Sequence, residues 1–318
     1  KLTSNMFYHT IFMTALLLLS HTAIAGEHAK EMDAFIEQFH GFKQFNGNVL
    51  VAKQGKVIFE KSYGYANFEW DIKNTAETKF RIGSITKQFT ALLILQLAQQ
   101  NKIQLDAPLA TYLPDYRQDI GNKITIRQIL NHTSGLSNYT QTKTFRSEYS
   151  RNPYSVDEFI KLLCSDDLLF EPGTQFRYSN SGYFILGAVI ENVTQQRYQD
   201  VLQENIFKPL NMHNTGYDSH AKIINQLASG YSNNLDGYTN ADYLDMSIPY
   251  AAGSIYSTAR DLVKWDQALY TNKLINKELK KQMYTVSEQR NYALGWEVNQ
   301  LDADNPNCEE SSAYPANP

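Results

Sequence analysis

The stretch FRIGSITKQFTALLILQL, residues 80–97, places Ser84 and Lys87 three positions apart where a loop gives way to an apolar run. Serine is a favoured helix N-cap, and the run reads as a helix over 84–100, ending near Asn101. Its apolar residues, Ile85, Phe89, Leu92, Leu93, Leu95 and Leu97, cover more than one face, so this helix is expected at the centre of the fold. Residues i and i+3 share a helix face, which would bring the Lys87 amine to the Ser84 hydroxyl. A lysine held as a charge in so apolar a helix is costly. Desolvation lowers its pKa, and the neutral amine can then accept a serine proton. The free N–H groups and positive dipole end at a helix start also favour a developing oxyanion. The same spacing recurs at Ser219 and Lys222, but within the polar stretch YDSHAKII, and S-x-x-K alone is a weak pattern.

A second stretch, EPGTQFRYSNSGYFILGAVIE (171–191), follows a Pro-Gly turn with Tyr178-Ser179-Asn180 and then a strongly apolar helical run. That context predicts a fixed loop for Tyr178 and Asn180. A tyrosinate beside an ammonium could act as a base, and an asparagine amide could bind a substrate carbonyl. Y-x-N also occurs at Tyr231, Tyr238 and Tyr270, so the context rather than the motif singles out 178–180.

Working outward, KEMDAFIEQFHGF (30–42) reads as an amphipathic helix with Met32, Phe35, Ile36 and Phe39 on one stripe. GNVLVAKQGKVIFEKSYGYAN (47–67) reads as two strands around the turn Gln54-Gly55. Helical patterns follow in ITIRQILNHTSGL (124–136), SVDEFIKLLC (155–164), SGYFILGAVIENVTQ (181–195) and YQDVLQENIFKPL (198–210). AAGSIYSTARDLVKWDQAL (251–269) reads as a further helix capped by Ser257 or Thr258, and NYALGWEV (291–298) as a last strand. The order predicts an α+β fold, an antiparallel sheet completed from both chain ends and flanked by helices, with a mostly helical insertion. The sheet region is expected from about 26–100 and 245–298, and the helical region over about 101–244.

The 318 residues suffice for a large core, and 42% apolar with 19% charged residues is ordinary for a globular chain. A net charge of −4 and the lack of a dense Lys/Arg block argue against nucleic-acid binding. IFMTALLLLS (11–20) is too short to span a bilayer but fits a signal-peptide core, and AIAG (23–26) predicts cleavage after Ala25. Met6 is a candidate start, and Gly26 stands where a lipid-anchored bacterial protein needs cysteine. Residues 1–25 therefore read as a signal peptide and the remainder as an exported protein, periplasmic or secreted, with no membrane span after cleavage. Cys164 and Cys308 are the only cysteines and make no disulfide framework. The seven histidines include no H-x-x-x-H pair, so neither a metal nor a cofactor is expected.

Taken in chain order, these stretches resemble the serine beta-lactamase and penicillin-binding protein family, on its class C, D-aminopeptidase and esterase side. The resemblance rests on FRIGSITKQFTALLILQL, ITIRQILNHTSGL, EPGTQFRYSNSGYFILGAVIE, IFKPLNMHNTGY and AAGSIYSTARDLVKW, spread over roughly 45–298. It implies that Ser84 is the acylated nucleophile and that Lys87 and Tyr178 exchange its proton. Asn180 would contact the substrate amide, and the Ser84 N–H would form half of an oxyanion hole. His132, in the NHTSG stretch, reads as structural. The implied substrates are beta-lactams, D-amino-acid peptides of cell walls, or esters.

The family's third motif, K-T-G or H-x-G, is absent: beyond Tyr178 there is no K-x-G, R-x-G or H-x-G, and no glycine follows Gly295. The closing stretch 299–318 is rich in Asp, Asn, Glu, Ser and Pro and reads as an atypical, disordered tail of a truncated or altered C-terminal part. Losing one oxyanion donor costs about 10²–10³ in rate. The alternative to an active hydrolase is therefore a catalytically impaired relative that binds cell-wall peptides or a partner.

Overall fold

The computed structural model describes residues 28–234 and 237–299, so the signal-peptide segment, Cys308 and most of the closing stretch lie outside the described residues. The chain divides into two compact units. The first takes residues up to Lys79 together with Asn225–Ala241 and Thr258–Val263; the second takes Phe80–Ile224, Asp242–Ser257 and residues from Lys264 onward.

The first unit opens with helix α1 (28–41) and the hairpin of β1 (Gly47–Lys53) and β2 (Lys56–Tyr63). Gln54 and Gly55 both have positive φ, +51° and +75°, the backbone that joins two twisted strands in a two-residue turn. The expected stripe on α1 is only half correct: Met32 and Ile36 are partly covered, while Phe35 and Phe39 are exposed and pack on each other. What ties α1 to the hairpin is polar: Asp33 accepts from Lys61 Nζ at 2.6 Å and from the Tyr63 hydroxyl at 2.9 Å. Short strands β3 (Tyr65–Asn67) and β4 (Ile72–Lys73) follow.

The second unit holds a three-stranded antiparallel sheet in the order β5 (Phe80–Arg81), β9 (Ile255–Ser257), β6 (Gly216–Tyr217). Strands β7 (Tyr231–Asn234) and β8 (Gly237–Asn240) form a separate hairpin in the first unit. Antiparallel pairing is thus spread over small sheets. In the second unit, helix α2 (Thr86–Gln99) is buried over most of its surface, as its all-round apolarity requires. The short helices α3 (Gln118–Gly121) and α4 (Ile126–Leu130) and the amphipathic α5 (Val156–Leu163) lead to the buried α6 (Asn180–Thr194). Burial of each large apolar side chain on α2 and α6 contributes roughly 1.5–3 kcal/mol, which fixes both helices firmly.

Several boundaries depart from the sequence expectation. The 124–136 helix is only α4, because His132 turns left-handed at φ +61°. The 198–210 helix stops as α7 (Tyr198–Leu202) and continues as a wider π-type turn over Gln203–Phe207. The 251–269 helix is three elements: α8 (Tyr250–Gly253), β9, and α9 (Ala259–Leu269), before the last helix α10 (Lys277–Tyr284). Ile255 and Tyr256 favour the extended backbone and are claimed by the sheet, and Thr258 then caps α9 by accepting the Asp261 N–H. Residues 291–298 form a tight turn rather than a strand, with one antiparallel bridge between Tyr292 and Glu297 and Gly295 at φ +88°.

Candidate active site

Ser84 lies in a 3-10 turn, Gly83–Ile85, that winds directly into α2. Its hydroxyl makes no capping bond, so the cap reading of Ser84 is corrected. Gly83, at φ +52°, gives the left-handed step that lets the chain leave β5 and enter the turn. One turn later Lys87 is 1% exposed. Its Nζ lies 3.2 Å from Ser84 Oγ, 2.8 Å from Asn180 Oδ1 and 2.9 Å from the Ala252 carbonyl oxygen.

The Tyr178-Ser179-Asn180 segment enters α6 through a cap. Ser179 Oγ accepts the Gly182 N–H at 3.2 Å and donates to the Ser137 carbonyl at 2.7 Å. This leaves Tyr178 just before the helix and Asn180 at its first position. The Tyr178 hydroxyl donates to Ser84 Oγ at 2.9 Å. Lys87 and, from some ninety residues further along the chain, Tyr178 thus meet at Ser84 Oγ, and Asn180 joins them through Lys87, all within the second unit. The competing pair is not gathered: Ser219 and Lys222 share only a local loop bond, Lys222 N–H to the Ser219 carbonyl.

The electrostatics select a proton acceptor. Burial pushes Lys87 down to about 7, because the ammonium loses its water. Burial raises the Tyr178 phenol above its ordinary value, an effect its bond to Ser84 only partly offsets, so the tyrosinate is disfavoured in the resting site. A neutral amine has two N–H donors and one lone pair. In that form the Asn180 and Ala252 oxygens can take both donors and the lone pair can face Ser84, whereas the ammonium donates to Ser84 Oγ as well.

Three partners were not legible in sequence. The Ala252 oxygen is a backbone atom and carries no residue signature. Asn138 accepts with Oδ1 from the Asn180 N–H at 3.3 Å and from Asn180 Nδ2 at 3.2 Å, which turns the Asn180 carbonyl toward Lys87. Thr140 Oγ1 lies 3.4 Å from Asn180 Nδ2. The only hint for Asn138 and Thr140 was their place in SNYT (137–140), one residue beyond the NHTSG stretch. Among the described residues no group of His, Cys, Asp and Glu is placed to hold a metal ion, and no helix is long and apolar enough to cross a membrane.

Comparison with known proteins gives the family. The Beta-lactamase family model matches residues 32–312. The chain belongs to the Beta-lactamase family. PbpX of Bacillus subtilis (strain 168) is 31% identical over 256 residues, covering 80% of this chain and 62% of that protein. A teichoic acid D-alanine hydrolase of Staphylococcus aureus is 29% identical over 252 residues, covering 79% of this chain and 59% of that enzyme. The chain therefore spans about 62% and 59% of the length of these curated relatives. The crystal structure of a penicillin binding protein from Bacillus halodurans superposes with a TM-score of 0.73 at 29% identity, covering 84% of this chain and 83% of that one. The mixed helix and sheet architecture of this Beta-lactamase family member is accordingly that of the beta-lactamase/transpeptidase-like fold.

Proposed function

We propose that the protein is an exported serine hydrolase or acyltransferase that forms an acyl-enzyme at Ser84. The observation that carries this reading is the placement of the buried Lys87 Nζ, 2.8 Å and 2.9 Å from the Asn180 and Ala252 carbonyl oxygens and 3.2 Å from Ser84 Oγ; in the neutral amine two N–H groups serve the two carbonyls and the lone pair serves Ser84. In the acylation step the Ser84 O–H bond breaks and its proton goes to Lys87 Nζ. Oγ then bonds the substrate carbonyl carbon, and the negative charge collects on the carbonyl oxygen near the Ser84 N–H. As the tetrahedral adduct collapses, the leaving group departs with a proton, for which the Tyr178 hydroxyl is the donor within reach. Lys87 resupplies that proton. Asn180 holds Lys87 and presents Nδ2 toward the substrate side, where Thr140 now stands.

The substrate class we favour is a D-alanyl ester or a D-amino-acid peptide of the cell wall, with beta-lactams and simple esters as related acyl donors. The teichoic acid D-alanine hydrolase among the relatives supports it. A second reading, a relative that binds such peptides with little turnover, is favoured by one observation: no K-x-G, R-x-G or H-x-G follows Tyr178 in this chain.

The test is phosphonylation by a fluorophosphonate, read as intact mass and mapped by peptide digestion. One adduct on the Ser84 peptide, absent in Ser84→Ala and at least 10²-fold slower in Lys87→Met, is the expected result. An adduct on another serine, or none over a day at millimolar reagent, would sink the proposal.

A further inference from the structure

One buried titratable side chain beside the site takes no part in the chemistry above. His132 is 1% exposed and follows α4 with its backbone in the left-handed region, φ +61°. That conformation is strained for a non-glycine residue. Its Nδ1 accepts the backbone N–H of Ser179 at 3.2 Å, and its carbonyl oxygen accepts the N–H of Arg177 at 2.9 Å. These two bonds hold the residues on either side of Tyr178. The imidazole ring itself lies against the Tyr178 ring, with centroids 4.4 Å apart and planes inclined at 40°.

An acceptor role for Nδ1 places the proton on Nε2. Nε2 is buried with no hydrogen-bond partner, in a ring of Phe176, Tyr178, Tyr183 and Tyr292. A buried donor left unpaired carries its full desolvation cost. A side chain retained for packing alone would avoid this cost, since a phenyl or leucyl group fills such a space with no orphaned donor. Backbone strain and an unpaired polar atom at one residue beside a reactive group point to a role in that group's placement.

We propose that His132 is a positioning residue for Tyr178: it clamps both backbone neighbours of the phenol and forms the platform under its ring, which keeps the hydroxyl 2.9 Å from Ser84. The inference rests on the reading of Ser84 as the nucleophile. The titratable groups facing the imidazole are Lys87, Tyr178, Tyr183 and Tyr292. Burial holds the imidazole pKa well below the usual histidine range, so the ring stays neutral, and the Lys87 ammonium, in the pH range where it is protonated, lowers it further. A neutral ring is what the geometry needs, because an imidazolium would have to donate at Nδ1, where the Ser179 N–H already points.

The test is a double-mutant cycle between His132 and Tyr178, read as the second-order rate of Ser84 phosphonylation. His132→Asn keeps an acceptor and tolerates the left-handed backbone, but it removes the platform. It should slow labelling about tenfold with Tyr178 present and less than twofold in the Tyr178→Phe background. An unchanged rate with Tyr178 present, or equal losses in both backgrounds, would show that the histidine does not act through the phenol. Long-range ¹H–¹⁵N spectra of the unmodified protein give a readout independent of activity. A neutral ring protonated at Nε2 between pH 6 and 8 is expected; a proton on Nδ1 overturns the inference even if His132→Asn fails to fold. If the unmodified chain is not labelled but its ring is the Nε2–H tautomer, the Ser84 reading fails and with it the role in chemistry, while the clamp on Ser179 stands.

Discussion

The amine of Lys87 is placed where water cannot follow, which disfavours its charged form. Lys87 has a folded-state pKa of about 7 against an ordinary 10.5, with burial as the cause. The base form is therefore gained as pH rises through about 7, and the labelling rate at Ser84 should climb through that pH and then level off. The same shift bears on stability. Between about pH 7 and 10.5 the unfolded chain binds a proton at Lys87 that the folded chain does not, so this group's contribution to stability rises with pH across that window. Lys87→Met lacks it. Denaturant unfolding of the two proteins at pH 7 and pH 9, below the range where the tyrosines titrate, should show the wild type gaining about 2 kcal/mol relative to Lys87→Met. A constant difference would mean that Lys87 stays charged when folded. At this scale the sequence was informative about side chains and silent about backbone. Ser84, Lys87, Tyr178 and Asn180 were legible from spacing and context, whereas the Ala252 oxygen could belong to any residue.

Elements hold those atoms in place, and their boundaries were the less legible part. The pattern over 251–269 suits a helix in isolation, yet Ile255–Ser257 is drawn into the sheet between β5 and β6. That insertion leaves α8 as a separate short turn whose Ala252 carbonyl meets Lys87. Thr90 strengthens the arrangement by donating to the neighbouring Ala251 carbonyl at 2.6 Å. Close packing does the rest. A Cβ added at Gly187 on α6 would stand 2.3 Å from Tyr250 Cε1 and 2.6 Å from Ala251 Cβ, contacts that only a shift of α8 relieves. Gly187→Ala should therefore destabilise the protein by roughly 1–3 kcal/mol. It should also slow Ser84 labelling several-fold by moving the Ala252 oxygen off Lys87. Loss of stability with an unchanged rate would show that α8 can yield without disturbing the amine. Gly295 is tight in the same way, with its added Cβ 2.8 Å from Ala91 Cβ, so the turn that replaced the expected strand lies directly on α2.

At the scale of the molecule, the order of motifs carried more information than any one of them. S-x-x-K at the start of a buried helix, then NHTSG, then Y-S-N before another buried helix, was enough to read the family. The match over residues 32–312 agrees. Sheet partnering was not legible, because strands of two or three residues such as β5, β6 and β9 are shorter than any alternation pattern can register. Ser84, Lys87, Tyr178 and Asn180 all belong to the second unit. What the 318 residues lack is the sequence motif expected to provide a second oxyanion donor. Under the proposed acyl-enzyme reading the Ser84 N–H is the oxyanion donor assigned among the described residues, and one donor fewer is a deficit of about 10²–10³ in rate. Labelling of this chain should accordingly be specific to Ser84 and slow. Its second-order rate constant should fall two to three powers of ten below that of the Bacillus halodurans penicillin binding protein measured with the same fluorophosphonate. Because the deficit lies in charge stabilisation, raising pH above 7 should raise the rate to its plateau without closing the gap. Equal rates at the plateau would place a second donor among the residues of this chain.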